Sequence, residues 1–192
     1  MKHFLKEIEI ALNSGLYTLA IVGALSLPDI CATLEMENPD RRDGVGERYK
    51  EWYRNYAEKN CFLPAEACYL YRCSMVHKHN SKNNFSVNAL TFLGSDSLPI
   101  NKIAFFLPSN DGPKFINSTF KLNFDNPLTG ERVEDSAILI EIDEFINGMI
   151  KSVNEWLEII KEDENFKKNI NDLIQPRPSS ALNFIKGDVI IY

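Results

Sequence analysis

Histidine is scarce in this sequence: His3, His77 and His79 are the only three in 192 residues. Any histidine-dependent chemistry therefore falls on one short stretch. There is no phosphate-binding glycine loop, GxSxG elbow, HExxH pair or EF-hand loop, so the classes that depend on those motifs are set aside. No two of the four cysteines, Cys31, Cys61, Cys68 and Cys73, have the two-residue spacing of a zinc knuckle or redox pair. They read as free thiols, small hydrophobes in a reducing cytoplasm. His77 and His79, two apart, do not share a helix face and have no neighbouring carboxylate. No metal site and no cofactor are expected. A surplus of positive charge is missing too. The net charge is -6, so no global basic field advertises nucleic acid. The apolar run Leu16 to Leu27 is too short to span a bilayer. Glu7 and Glu9 precede it and no small-residue cleavage site follows, so a buried helix is expected rather than a signal peptide or a membrane span. The sequons at Asn84 and Asn117 carry no meaning in a cytoplasmic protein.

What is present is ordinary for a globular domain: 44% hydrophobic and 25% charged residues. A chain of this length can bury a core without disulfides or metals, and one domain over 1–192 is expected. Charge is unevenly placed. From Arg41 to Lys82 there are nine Lys/Arg against five Asp/Glu, and elsewhere twelve against twenty-two. The basic residues gather in the central helical part, and such a run usually means solvated helix faces.

Helical periodicity dominates both ends. Leu5, Ile8, Leu12, Leu16 and Leu19 predict a helix over 2–24. Ser26 with Asp29 reads as a capped start of a second helix to about Glu37, which Asn38-Pro39-Asp40 ends. Tyr49, Trp52, Tyr53 and Tyr56 give a third helix, 46–59, an aromatic stripe; core is the first reading of it and base stacking the second. Pro64 suits the first turn of a fourth helix, 64–78. Alternating or short apolar runs at Phe85–Ala89, Lys102–Leu107, Phe120–Phe124 and Ala137–Ile142 then predict strands, separated by Asn/Gly/Pro turns. A helix from 143 to 161, with Asp143 as cap, has the cleanest period in the chain, and a weaker one follows over Asn165–Ile174. The expected fold class is α+β, a helical bundle with a small antiparallel β excursion between its fourth and fifth helices. Its parts are helical 1–80, β-rich 84–142, helical 143–174 and an irregular tail, 175–192.

One run carries a sharper chemical signal: Tyr69-Leu70-Tyr71-Arg72-Cys73-Ser74-Met75-Val76-His77. It resembles the HEPN signature, an arginine and a histidine separated by four to six residues on a late helix of a small bundle. Cys73 stands where that family usually has a polar residue. The resemblance implies a metal-independent endoribonuclease or toxin-like effector, of the toxin–antitoxin or phage-defence kind, acting as a homodimer. In that reading Arg72 and His77 are catalytic and Ser74 adds a hydroxyl. Lys78, His79 and Lys82 touch RNA, and an antitoxin or other protein partner accompanies the chain. The chemistry is coherent. RNA supplies its own nucleophile in the 2′-hydroxyl, a histidine can move protons near neutral pH, and a guanidinium fork fits a phosphate. Residues five apart on a helix point roughly 140° apart, and the resemblance implies that two facing protomers make up one cleft. The family also has inactive members. A non-catalytic helical protein-interaction module therefore stays open, with Arg72 paired to a helix carboxylate and His77 at its helix end.

Overall fold

A computed structural model describes residues 1–78, 102–107, 118–125, 128–173, 176–178 and 189–191. Among the described residues the chain is mostly helical, with one three-stranded sheet and a separate two-stranded ladder. The expected strand at Phe85–Ala89 lies outside the described residues.

The first helical segment is two helices, not one over 2–24: α1 (Lys2–Asn13) and α2 (Tyr17–Leu34). The break is a Schellman ending. Gly15 takes the left-handed φ of +74°. Its N–H reaches the carbonyl of Leu12 at 3.0 Å, and the Leu16 N–H reaches that of Ala11 at 2.8 Å. The helix then continues unbroken through Ser26 and Pro28. Ser26 is no cap, because its hydroxyl donates to the carbonyl of Val22 at 2.8 Å inside α2. Pro28 sits within the helix, where it cannot donate to the turn before it. Burial over both flanks outweighs that lost bond: Ala24, Leu25, Leu27, Cys31 and Leu34 are all core. α2 is long and apolar enough to cross a membrane by length and composition, and half of it is buried inside the protein.

The third segment is broken as well. α3 (Val45–Trp52) passes into one π-helical turn at Tyr53–Ala57 and then α4 (Glu58–Cys61). Tyr49, Trp52 and Tyr53 are buried, so most of the aromatic stripe is core rather than a surface for stacking bases. α5 spans Ala65–Lys78. Because of the π turn, the sheet falls between the fifth and sixth helices and not between the fourth and fifth.

The sheet is mixed, which corrects the expectation of an antiparallel one. β1 (Lys102–Phe106), β2 (Ser118–Asp125) and β3 (Arg132–Glu141) lie in the order β1-β3-β2. β2 pairs antiparallel with β3 through the Thr129-Gly130 turn expected from the sequence. β1 runs parallel to β3, with Lys102 opposite Ala137 and Phe106 opposite Glu141. Alternation along a strand sets which face is buried but not which strand lies alongside. β3 leads directly into α6 (Ile142–Ile160), whose N-cap position is Glu141 and not Asp143. α6 packs against α2 and α4, and its Trp156 is fully buried between Trp52 and Phe166 at ring distances of 5.8 and 5.6 Å. α7 (Glu164–Asn169) is capped by Asp163, which accepts from the Phe166 N–H at 2.9 Å. The tail is not wholly irregular: β4 (Pro176–Pro178) pairs antiparallel with β5 (Val189–Ile191).

Candidate functional site

α2, α3 and α5 pack on one another in pairs. Where they meet, a cleft of about 520 Å³ opens, bounded also by the loop from Pro39 to Arg42. Its charged lining is Arg41, Arg42, Arg48 and Arg72 against Asp29 and Asp40. Four of the nine basic residues of the central run thus line one concavity, although they are up to 31 residues apart in the chain.

Arg72 projects from the middle of α5. Its guanidinium meets the Asp29 carboxylate of α2 at 2.7 Å, with both side chains about four-fifths buried. Asp29 is the only charged residue of α2. A carboxylate that deep in an apolar helix needs a cationic partner, because desolvating an unpaired charge costs far more than a hydrogen bond returns. The pair is the intra-chain one that a structural role for Arg72 would require, and it also stands on the cleft wall.

The loop between α2 and α3 is stiffened by its own polar groups. Asp40 donates its N–H to the side chain of Asn38 at 3.2 Å. Arg41 grips Asp43 through two bonds of 2.6 and 2.5 Å, a bidentate geometry natural to a guanidinium and a carboxylate. That contact holds the Asp43 carboxyl below its usual range and raises Arg41. Arg48 reaches back from α3 to the carbonyl of Asp43 and, at 3.0 Å, to that of Arg41. Gly44, at φ +69°, turns the chain into α3.

Below the cleft, the Tyr49 hydroxyl and the Cys68 thiol lie 3.2 Å apart and tie α3 to α5. Burial pushes the Cys68 thiol up to about 12 and raises Tyr49 well above its ordinary value. Both keep their protons near neutral pH, so the Cys68 thiol is not a nucleophile there.

Of the expected site residues, Arg72 is in the cleft. Ser74 is buried and is not among the cleft-lining residues. Two residues on from Arg72, it points roughly 160° away around the helix. His77 and Lys78 complete the last turn of α5, while their side chains, and all of His79 and Lys82, lie outside the described residues. Asp29, Arg41, Arg42 and Arg48 went unrecognised as site residues in the sequence. The lone charge in the α2 apolar run was the available signal for Asp29. No protein-family model, curated protein or solved structure matches the chain.

Proposed function

We propose that this chain is a metal-independent endoribonuclease of the HEPN type, working as a cytoplasmic homodimer in a toxin-like or phage-defence role. The observation that carries the reading is Arg72 itself. The arginine of the sequence signature stands in a cleft with three further arginines, of which Arg41 and Arg48 are held by groups of the loop itself and Arg42 is open to a phosphate. Asp29 holds the Arg72 fork in place from α2. In the reaction the 2′-hydroxyl of a ribose attacks the adjacent phosphorus and the P–O5′ bond breaks. A cyclic 2′,3′-phosphate and a 5′-hydroxyl result. His77 takes the 2′-proton or returns one to the leaving 5′-oxygen, and Arg72 stabilises the charge on the phosphate oxygens. With the two residues five apart on one helix, α5 of a second copy completes the constellation.

A second reading is favoured by one observation. Arg72 and Asp29 are paired within a single chain and mostly buried, as in a purely structural ion pair. In that case the chain is a non-catalytic helical module that binds an antitoxin or another protein. Cleavage of labelled single-stranded RNA separates the two. Wild type should cut with or without EDTA, His77→Ala should cut about 10²–10⁴-fold more slowly, and His79→Ala should behave close to wild type. Equal rates for wild type and His77→Ala, or no cleavage of varied RNAs by any of them, would leave the binding module as the account.

A further inference from the structure

The three loop and α3 arginines of the cleft are committed differently. Arg41 is held by Asp43, and Arg48 is spent on the carbonyls of Arg41 and Asp43. Arg42, between them, is exposed, and among the described residues it has no hydrogen bond or ion pair. It nevertheless lines the same cleft as Arg72. Its neighbours fix the backbone that presents it, so little loop entropy is lost when it engages a ligand.

We infer that Arg42 is a second phosphate contact, separate from Arg72, and that the cleft therefore takes a single-stranded oligonucleotide rather than a mononucleotide or free phosphate. The inference rests on the reading of the ligand as RNA. Arg72, mostly buried and oriented by Asp29, receives the phosphate at the reacting position. Arg42, on the exposed rim, receives a neighbouring phosphate of the same strand. A planar fork suits each phosphate, and forks from two different elements of the cleft, the loop and α5, fix the strand's direction through it. Asp40, on the same lining, sets a limit to the anionic load and disfavours a dense cluster of phosphates such as a free polyphosphate.

The test measures binding rather than cleavage. A short, dye-labelled 2′-O-methyl oligonucleotide cannot supply the nucleophile, so its anisotropy with the full chain reports affinity alone across a salt series. For a single strand each lost phosphate contact lowers the slope of log K against log salt by about 0.7. Arg42→Ala should lower it by that amount, and adding Arg72→Ala should lower it by about as much again. A labelled mononucleotide should bind weakly and be indifferent to Arg42→Ala. An unchanged slope in Arg42→Ala, or equal loss for mononucleotide and oligonucleotide, overturns the second contact while the ribonuclease reading stands. Failure of wild type to bind any oligonucleotide removes both. Binding as expected with no RNA cleavage removes catalysis and keeps the two-phosphate cleft.

Discussion

At the residue scale, two partly buried carboxylates of this chain, Glu35 and Asp29, are held by specific partners, and the partners decide how each substitution reads out. Glu35, at the end of α2, accepts from the Trp156 indole N–H at 2.5 Å. Burial raises its pKa, against the lowering effect of that hydrogen bond, and the nearby Asp163 and Glu51 raise it further. A carboxyl whose folded pKa lies above its unfolded one gives stability that is complete below the unfolded value and is lost as pH climbs through the folded one. Glu35→Gln keeps a carbonyl for the indole and carries no charge. The variant should be at least as stable as wild type at pH 7, and its advantage should vanish below about pH 4, by urea denaturation at both pH values. A clear loss at pH 7 would mean that the charge itself supports the fold. Asp29 and Arg72 follow the same logic of paired burial, and here the sequence was only half legible. Arg72 stood out by its spacing to His77. Its partner lies 43 positions earlier, on another helix, and only the fold brings them together.

At the scale of elements, periodicity revealed the helices that bury one broad stripe and misled where burial is nearly complete. α6 was legible almost to the residue, because its apolar positions keep one face throughout. α2 is apolar around much of its surface, so periodicity gave no boundary there. Its start is set by the Gly15 turn and its length by burial that overrides Pro28. The π turn at Tyr53–Ala57 has no sequence signature of this kind, and the parallel pairing of β1 with β3 is a non-local choice that alternation does not encode. The contact of α4 with α6 gives a direct test of packing. A Cβ added at Gly148 would lie 2.3 Å from the Asn60 carbonyl oxygen and 3.4 Å from the Cys61 sulfur. Alanine is the better helix former by about 1 kcal/mol, yet Gly148→Ala should destabilise the protein by about 1–3 kcal/mol, since backbone must move to admit the methyl. Chemical denaturation at neutral pH checks the sign. A stabilised variant would show that the two helices separate at little cost.

At the scale of the whole molecule, three packed helices and one stiff loop gather four arginines and a partnered aspartate into a single cleft, within a chain whose net charge is -6. Overall charge therefore concealed this arginine-lined cleft, and the local surplus between Arg41 and Lys82, read first as solvated helix faces, supplies all four of its arginines. The proposed catalysis needs two copies of α5, so static light scattering at micromolar concentration should give twice the 22.0 kDa chain mass. A strictly monomeric chain would take away the composite site and leave the binding module. The central claim is that the Arg72 guanidinium grips the reacting phosphate, and Arg72→Lys tests it most directly. Lysine keeps the positive charge opposite Asp29 but lacks the planar fork. Under single-turnover conditions on labelled single-stranded RNA, the variant should fold like wild type by circular dichroism. It should cleave about 10²–10³-fold more slowly, the usual cost of losing one preorganised charge-stabilising donor. Cleavage by Arg72→Lys at the wild-type rate would contradict the account.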